Sequence, residues 1–375
     1  MRLLLTCGGT AGHVNPAVGV AGRIKEMLPD SEVLFIGADG MMETELVPRE
    51  GYEIKTVTIT NLHRSLKPAE IVHNLKTFRN VLMSVPQAKR IIREFKPDVA
   101  VGTGGYVCYP VLKAAHSLGI PTLVHESNAQ PGLTTKMLAK TVDCVMLGFA
   151  GAAEGYGKGV NAVYTGTPVR PYFRTADRAE ARKALGLNSD RPLVVSVWGS
   201  LGSDYMNKAM RSFIAEAAEK NEFDLIHSAG KRGYAGIKSA LDAAGLTSEL
   251  LASRGIDVRE YIYDMPTVMA AADLVLCRSG ASTLSELTAL GKPAVLVPSP
   301  NVTANHQEKN ARVLERAGGA DVLLEGEFTP AELYDHVSAL LHDSEKLAAM
   351  SAGMRSVSVA DATEIIADMI LGYLK

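Results

Sequence analysis

The stretch that decides the fold lies at the start of the chain and runs Leu3-Leu4-Leu5-Thr6-Cys7-Gly8-Gly9-Thr10-Ala11-Gly12-His13. Its apolar run predicts a short buried strand, its glycines predict a tight turn, and the residues up to Met27 follow a helical pattern. The same succession returns over Leu193–Glu216, where the loop from Gly199 to Gly202 stands 190 residues after the loop that starts at Gly9. The repeat indicates two similar halves, and a chance recurrence of glycines is the alternative.

A second pair of segments repeats in the same order. Asp98-Val99-Ala100-Val101 precedes Gly104-Gly105, and Asp273-Leu274-Val275-Leu276 precedes Ser279-Gly280. Short apolar runs that alternate with helical patterns predict βαβ units and mainly parallel sheets, with strands covered on both faces. We therefore predict two similar α/β halves that face each other.

Length and composition narrow the class of protein. A chain of 375 residues is too long for one ordinary core, and 47% hydrophobic with 21% charged residues excludes extensive disorder. A formal net charge of −2 argues against a nucleic-acid partner, because such proteins carry a basic excess. Four cysteines stand far apart, so we expect buried thiols in a reducing compartment. The sequence contains no run of eighteen apolar residues, and a soluble or peripheral cytoplasmic protein is expected.

The segment from Leu62 to Lys96 differs in character from the rest. Apolar residues at helical spacing are surrounded by basic residues, and only Glu70 and Glu94 oppose them. A basic amphipathic helix suits an anionic membrane surface, and a core-facing helix with a solvated basic face is the alternative. The residues that define this predicted membrane patch are Leu66, Ile71, Leu75, Phe78, Arg79 and Leu82.

The first glycine loop is a candidate anion site. Glycines let a backbone approach a ligand closely, and N–H groups at a helix start attract phosphate. The spacing matches neither the G-x-G-x-x-G fingerprint nor a P-loop, so neither NAD binding nor ATP hydrolysis is indicated. His13 is a candidate general base, and a histidine that only hydrogen-bonds a neighbouring loop is the alternative.

The second half carries similar candidates. Ser200 lies in a second phosphate-sized loop, whose alternative is a turn without a ligand. The run from Arg278 to Glu286 follows a buried strand and starts a helix. In the first helical turn, Glu286 could accept two ribose hydroxyls while the N–H groups hold a diphosphate. Thr283 and Glu286 also have the spacing of a capping box, so a purely structural role is the alternative.

Amide side chains at strand ends are candidate ligands for sugar hydroxyls, which need paired donors and acceptors. Asn128 and Gln307 occupy such places, with an ordinary helix start as the alternative for Gln307. The chain has no Asp-x-Asp, so a metal-bridged diphosphate is not expected. The charge of a leaving diphosphate would then be met by helix N-termini, backbone N–H groups and Arg170.

Taken together and in order, six motifs resemble those of the MurG family, the peptidoglycan N-acetylglucosaminyltransferases of glycosyltransferase family 28. Any one of them is weak, whereas six in sequence order are specific. They are Gly8 to His13, His125 to Asn128, Gly166 to Arg170, Gly199 to Gly202, Cys277 to Glu286, and His306 to Ala311.

The resemblance implies a GT-B fold, with two facing Rossmann-like doubly wound parallel-sheet domains and a cleft between them. It implies an inverting transfer of N-acetylglucosamine from UDP-N-acetylglucosamine to the muramyl 4-hydroxyl of undecaprenyl-diphospho-N-acetylmuramoyl-pentapeptide (lipid I), which forms lipid II. Residues 1–166 would be the acceptor and membrane-docking domain, with helix 360–375 packed back on it, and residues 167–359 the donor-binding domain. No cofactor and no metal are expected. The implied location is the cytoplasmic face of the cell membrane, with other cell-wall synthesis proteins as further partners.

The resemblance also implies a set of site residues. Glu286 would hold the ribose and the helix start before it the diphosphate, while His13 is the candidate base. The acceptor diphosphate would lie at Gly12, His13, Gly104 and Gly105. Carried over by motif position, the donor contacts are Thr10, Ala11, Gly12, Asn128, Arg170, Ser200, Ile262, Ala281, Ser282, Thr283, Leu284, Ser285, Glu286 and Gln307.

Three positions depart from the family pattern. Ala11 replaces a glycine, which is tolerated if its φ is negative but narrows the approach of a phosphate. Leu201 stands where many relatives have glutamine, which removes one polar contact, and His306 stands where the family often has a first glutamine before Gln307.

The sequence leaves three competing functions open. Another GT-B UDP-sugar transferase would use a different lipid or a natural-product acceptor, and a UDP-N-acetylglucosamine epimerase would need no acceptor. A non-catalytic, membrane-bound scaffold would bind the nucleotide sugar without turnover.

Overall fold

The computed structural model describes residues 1–59, 83–170, 172–187, 190–199 and 202–374. Its strands are β1 (Arg2–Thr6), β2 (Glu32–Ala38), β3 (Glu53–Val57), β4 (Val99–Gly102), β5 (Thr122–Glu126), β6 (Cys144–Leu147), β7 (Ala162–Tyr164), β8 (Leu193–Val197), β9 (Asp224–Ser228), β10 (Ile256–Arg259), β11 (Leu274–Cys277), β12 (Ala294–Leu296) and β13 (Ala320–Val322). Its α-helices are α1 (Ala11–Met27), α2 (Glu43–Arg49), α3 (residues 83–95), α4 (Cys108–Ser117), α5 (Leu133–Leu138), α6 (Tyr172–Thr175), α7 (Arg178–Ala184), α8 (Asp204–Lys220), α9 (Tyr234–Ala243), α10 (Ser248–Ser253), α11 (Met265–Ala271), α12 (Ala281–Leu290), α13 (His306–Arg316), α14 (Pro330–Leu341), α15 (Ser344–Ser356) and α16 (Ala362–Gly372).

The chain divides into two compact units. The first comprises Met1–Arg170 together with Val359–Lys375, and the second comprises Pro171–Ser358. Helix α16 therefore belongs to the first unit, where Ile366 and Ile370 are fully buried beside Val14 and Val20 of α1.

The first unit is built on a seven-stranded parallel sheet with the order β3-β2-β1-β4-β5-β6-β7. Alternate residues of β1 enter two different cores. Leu4 packs with Ile91 of α3 and Leu112 of α4, whereas Leu3 and Leu5 pack with the cluster that contains α1 and α16. Because successive side chains point to opposite faces, a fully apolar strand needs helices on both sides.

The second unit is built on a six-stranded parallel sheet with the order β10-β9-β8-β11-β12-β13. Strand β8 has β9 and β11 as its neighbours, just as β1 has β2 and β4. The predicted repeat of two α/β halves with parallel sheets is thus confirmed, and the two glycine loops found in the sequence follow equivalent strands.

The basic segment lies partly outside the described residues. Of its apolar positions, Ala88, Ile91 and Ile92 on α3 are buried in the core, so the core-facing alternative holds for residues 83–95. The predicted membrane patch lies outside the described residues; its members are Leu66, Ile71, Leu75, Phe78, Arg79 and Leu82.

Two further expectations concern the state of the cysteines and the presence of membrane-spanning helices. All four cysteines are buried and free, as predicted, and burial raises the pKa of the Cys108 thiol to about 12. In the part of the chain that the structure describes, no helix combines the length and the apolar character needed to cross a membrane.

Candidate active site

In each unit, two glycine loops follow the two strands between which the sheet order reverses. These strands are β1 and β4 in the first unit, and β8 and β11 in the second. The helices that follow such a pair run to opposite faces of the sheet, which leaves a crevice at the carboxyl ends of the strands. This topology places most of the sequence-predicted residues of each unit at one edge of its sheet.

The two loops of the first unit are bonded to each other. The Gly8 N–H donates to the Gly104 carbonyl over 3.2 Å. A Cβ on Gly105, whose φ is +89°, would lie 2.3 Å from the Gly8 oxygen. Gly104 is itself buried, while Gly105 is half-exposed. These glycines are therefore required for the close approach of two backbones, whether or not a ligand also approaches them.

Glu43 holds the first loop and was not found from the sequence. Its side chain is fully buried, and its carboxylate accepts from the Ala38 N–H and the Gly9 N–H, each over 2.9 Å. A Cβ on Gly8 or Gly37 would lie within 2.7 Å of this side chain. An acidic residue in the first turn of α2 looks like an ordinary helix-start charge, so no sequence signal marks this role.

The orientation of His13 is set by the same loop. Its Nδ1 lies 2.8 Å from the Gly8 carbonyl oxygen, and Thr103 Oγ1 donates to the His13 carbonyl over 2.6 Å. A carbonyl only accepts, so Nδ1 is the donor of this bond, and Nε2 is the nitrogen that carries the lone pair whenever the ring has a single proton. The two interpretations of His13 are thus compatible: it bonds a neighbouring loop through Nδ1 and keeps Nε2 as a proton acceptor.

Ala11 stands where the family pattern has a glycine, and its backbone conformation shows whether a methyl group fits there. Helix α1 begins at this residue, after Thr10 in an extended conformation. Ala11 is not among the residues of positive φ, so its methyl group is accommodated without backbone strain.

Buried polar side chains at the carboxyl end of β5 form a hydrogen-bond network. His125 is fully buried, donates from Nε2 to the Gly166 carbonyl over 2.9 Å, and accepts from the Ser127 hydroxyl over 3.1 Å. Burial lowers the pKa of His125, which keeps the ring neutral. Glu126 accepts from the backbone N–H and the side-chain amide of Asn128, each over 2.9 Å. The Glu126 carboxylate thereby fixes the position of Asn128, a predicted contact of the donor. Arg170, another predicted contact, is half-buried and lies where the first segment of this unit ends.

In the second unit, Arg278 joins the loops at the carboxyl edge of the sheet. Its guanidinium donates to Ser203 Oγ over 2.7 Å and to the Val297 carbonyl over 2.9 Å, and it forms an ion pair with Glu325. It also lies over the ring of Trp198, with 5.9 Å from Cζ to the ring centroid. From the sequence, Arg278 is recognised only as part of a motif. Its partners Ser203 and Glu325 are distant along the chain, so no local pattern indicates these contacts.

A second buried side chain positions the glycine loop after β8. Asn207 donates to the Ala229 carbonyl over 2.8 Å. A Cβ on Gly202, at a φ of +81°, would lie 2.1 Å from that same oxygen. Gly199 has a φ of +89°, and no atom of the described residues lies within 4 Å of where its Cβ would be. Ser200, a predicted donor contact, lies outside the described residues.

Helix α12 corrects two expectations about Glu286. The helix begins at Ala281 with Gly280 as N-cap, no side chain caps it, and its first turn contains no acidic residue. The capping-box alternative is therefore wrong, because Thr283 lies inside the helix. Glu286 lies in the second turn, not the first, and is buried. The Cα–Cβ bonds of a helix tilt towards its N-terminus, so the side chain of Glu286 leaves the backbone in the direction of the helix start.

The other predicted donor contacts of the second unit differ in how exposed their side chains are. Ser282, Thr283 and Ser285 are half-buried, and Ser285 Oγ donates to the Ala281 carbonyl over 3.0 Å. Leu284 and Ile262 are almost fully buried side chains. A ligand at this edge would therefore meet only the backbone at those two positions.

The start of α13 presents Gln307 in a fixed orientation. Its Oε1 accepts from the Ser299 N–H over 2.9 Å, so its amide NH2 is the group left to donate elsewhere. Ala304 and Asn305 both adopt the left-handed conformation just before the helix, with φ of +55° and +51°. His306 Nδ1 lies 2.8 Å from the Thr303 carbonyl.

Chemically, the second unit offers an uncapped helix N-terminus, a buried carboxylate and an oriented amide at one edge of a parallel sheet. Such an edge suits a phosphate-bearing ligand with hydroxyl groups. The first unit offers an imidazole, oriented by its Nδ1 contact with the Gly8 carbonyl, beside two glycine loops. Among the described residues, no three His, Cys, Asp or Glu side chains cluster as metal ligands would.

Comparison with known proteins bears on both units. Residues 3–147 match the glycosyltransferase family 28 N-terminal domain, and residues 193–366 match the family 28 C-terminal domain. A protein of Acetivibrio thermocellus named UDP-N-acetylglucosamine--N-acetylmuramyl-(pentapeptide) pyrophosphoryl-undecaprenol N-acetylglucosamine transferase is 42% identical over 100% of this chain and 99% of its own length. A protein of the same name from Thermoanaerobacter sp. is 40% identical over 99% of both chains.

Among solved structures, the crystal structure of MurG from Acinetobacter baumannii superposes with a TM-score of 0.75 at 26% identity and covers 99% of each chain. The two parallel-sheet units and this likeness confirm the predicted GT-B fold. By its full length and by both of its domains, the chain belongs to glycosyltransferase family 28.

Proposed function

We propose that this chain is an inverting, UDP-N-acetylglucosamine-dependent hexosyltransferase that converts lipid I to lipid II. N-acetylglucosamine passes from UDP to the muramyl 4-hydroxyl of undecaprenyl-diphospho-N-acetylmuramoyl-pentapeptide. The observation that carries the proposal is the full-length similarity, 42% identity over 375 residues, to a relative named for this transfer.

The second unit is proposed to bind the donor. The free N–H groups at the start of α12 face the diphosphate, because a helix N-terminus carries partial positive charge. Glu286 accepts the ribose hydroxyls, and the Gln307 amide NH2 donates to a hydroxyl oxygen of the sugar. Within this unit the proposed donor contacts are completed by Ser200, Ile262 and the run from Ala281 to Ser285. Thr10, Ala11, Gly12, Asn128 and Arg170 belong to the first unit and are each proposed as donor contacts from the motifs that they occupy.

The first unit is proposed to bind the acceptor. Gly12, His13 and Gly105 present a glycine-lined edge to the lipid diphosphate, whereas the buried Gly104 contributes by packing against His13. His13 is the proposed base, since the bond from Nδ1 to the Gly8 carbonyl leaves Nε2 as the nitrogen that can accept a proton.

The proposed reaction is a single in-line displacement. His13 Nε2 takes the proton of the acceptor hydroxyl as that oxygen bonds to the anomeric carbon of N-acetylglucosamine. The bond from this carbon to the diphosphate breaks, and UDP leaves with the electron pair. The N–H groups at the start of α12 and Arg170 stabilise the charge that develops on the diphosphate.

The lipid tail of the acceptor stays in the bilayer, so the enzyme is proposed to act as a peripheral protein on the cytoplasmic face of the membrane. The anionic membrane surface is proposed to bind the predicted membrane patch, which comprises Leu66, Ile71, Leu75, Phe78, Arg79 and Leu82. Other cell-wall synthesis proteins are proposed as further partners.

The testing experiment is UDP release from UDP-N-acetylglucosamine in EDTA, with and without a short-chain lipid I analogue. We expect release that depends on the acceptor and yields a new disaccharide. Release only with a different acceptor would indicate another GT-B transferase, and a free epimerised sugar would indicate an epimerase. Donor binding without any turnover would favour the scaffold.

The ribose assignment has its own test. Glu286→Ala should raise the donor KM and abolish the preference for UDP over 2′-deoxy-UDP, because its carboxylate would be the acceptor of the ribose hydroxyls. Glu219→Ala, at an exposed carboxylate on α8 of the same unit, is the control. An unchanged KM and preference in Glu286→Ala would contradict the assignment.

A further inference from the structure

Trp198 is the single tryptophan of the chain, and it directly precedes the second glycine loop, Gly199 to Gly202. It is only 2% exposed, and its indole Nε1–H donates to Ser196 Oγ over 2.8 Å. The same hydroxyl oxygen lies 3.1 Å from Nδ1 of the fully buried His227. A buried N–H group without an acceptor is costly, so the bond to Ser196 favours one orientation of the indole ring.

The face of this ring contacts Arg278. The distance from Arg278 Cζ to the ring centroid is 5.9 Å, which is within the range of a cation–π contact. The side chains of Arg278 and of its ion-pair partner Glu325 are each 13% exposed. Such a contact becomes stronger when its groups are withdrawn from water. The indole is therefore held at its N–H by Ser196 and bears on the guanidinium through its face.

Arg278 connects the two pieces of backbone proposed to bind the diphosphate of the donor. It follows β11 directly and stands three residues before Ala281, the first residue of α12. Its guanidinium donates to the hydroxyl of Ser203, the N-cap residue of α8, and to the Val297 carbonyl. Since Ser203 follows the second glycine loop, the guanidinium links that loop to the uncapped start of α12. A planar guanidinium has its donors at fixed angles, so a small rotation would break these bonds.

We propose that Trp198 is a positioning residue for the diphosphate of the donor. It holds Arg278 so that the second glycine loop and the start of α12 keep the spacing that accepts two phosphates. This inference rests on the proposed donor function of the second unit. Trp198 is too deeply buried to touch a ligand, so it acts through Arg278. The ion pair with Glu325 balances the charge of Arg278, so the ring contributes orientation and not charge.

The test measures the affinities of UDP and UMP by isothermal titration calorimetry, because the two nucleotides differ only in the second phosphate. Trp198→Leu should bind UDP about tenfold more weakly, equivalent to about 1.4 kcal/mol, and UMP less than about twofold more weakly. Trp198→Phe keeps an aromatic face and has no N–H to satisfy, so its UDP affinity should stay within about threefold of wild type.

Phe213→Leu is the matched control. Phe213 is a fully buried ring of the same hydrophobic core, and its centroid lies 5.4 Å from that of Tyr334 and 6.1 Å from that of Phe223. Phe223 directly precedes β9, at the end of the sheet opposite to the glycine loops. Phe213→Leu should lower the free energy of unfolding in urea, as Trp198→Leu does, without changing the ratio of UDP to UMP affinity.

Two further measurements keep the test decisive. If Trp198→Leu does not fold, Ser196→Ala takes its place: it leaves the indole N–H without its acceptor, and it should lower the ratio of UDP to UMP affinity. In wild type, the fluorescence of Trp198 should change on binding UDP far more than on binding UMP, since the second phosphate lies at the edge that Arg278 organises. Equal changes with both nucleotides would contradict the positioning role.

The outcomes separate the positioning role from the proposed function. Transfer to lipid I by wild type, with the same ratio of UDP to UMP affinity in wild type and Trp198→Leu, overturns the positioning role alone. An equal loss of that ratio in Phe213→Leu also overturns it, because the effect would then belong to the core in general. A ratio that depends on Trp198, without transfer to lipid I, supports the positioning role and contradicts the proposed reaction. A wild-type protein that binds no UDP overturns both.

Discussion

Glu43→Ala tests the inference that a buried carboxylate holds the first glycine loop in place. The substitution removes the acceptor of the Ala38 N–H, which is buried, and of the Gly9 N–H, which is partly buried. An unsatisfied buried donor costs about 1–3 kcal/mol, and a lost hydrogen bond that water can partly replace costs about 1 kcal/mol. We expect the free energy of unfolding of the first unit to fall by about 2–4 kcal/mol, a large part of the ordinary total of 5–15 kcal/mol.

Urea unfolding followed by far-UV circular dichroism measures this loss, and the fluorescence of Trp198 follows the second unit separately. Hydrogen exchange should also become faster at the amides of Gly9 and Ala38. Because the same loop orients His13 and carries the proposed donor contacts Thr10, Ala11 and Gly12, turnover with the lipid acceptor should fall by about tenfold or more. Glu43→Gln, which keeps one acceptor oxygen, should lie between wild type and Glu43→Ala.

Glu45→Ala is the matched control, since Glu45 is exposed on the same helix. The reasoning is refuted if Glu43→Ala changes stability by less than about 0.5 kcal/mol, the ordinary range for surface substitutions. It is also refuted if Glu45→Ala gives an equal loss, or if exchange at Gly9 and Ala38 is unaltered.

Three further predictions concern single residues. Gly202→Ala should destabilise the second unit by several kcal/mol more than Gly199→Ala does in urea unfolding. Both substitutions strain a left-handed backbone, but the Cβ added at Gly202 would also lie 2.1 Å from the Ala229 oxygen. Equal losses of stability would contradict this reasoning. Burial lowers the pKa of His227 to about 3, so the native ring stays neutral while the unfolded chain binds a proton below about pH 6.5. Stability should therefore fall as the pH drops from about 6.5 towards 3, by up to ~1.4 kcal/mol per pH unit, and His227→Phe should show a smaller fall between pH 7 and pH 5; parallel curves would exclude His227 as the cause. His13→Ala should lower turnover by about 10²–10⁴-fold with UDP affinity nearly unchanged, and near-normal turnover would remove His13 as the base.

The sequence by itself determined the fold class and the family. Apolar runs at strand spacing and helical patterns between them depend on neighbouring residues, so parallel α/β units can be recognised without tertiary information. The glycine loops at residues 8–12 and 199–202 have the same basis, because a tight turn needs glycine wherever the chain lies in space. Their order along the chain, together with four other motifs, was sufficient to indicate glycosyltransferase family 28.

Only the tertiary structure decided how the site residues are held. Glu43 bonds a loop that lies 34 residues away, and Arg278 bonds Ser203 and Glu325 at separations of 75 and 47 residues. Such contacts leave no local pattern, because any acidic or basic residue at a helix start or strand end looks alike in one sequence. The correction at Glu286 has a related cause: one helical turn of difference in where α12 begins decides whether that carboxylate caps the helix or lies within it. Periodicity therefore located the elements, and the packing of one loop against another decided which of their side chains serve the site.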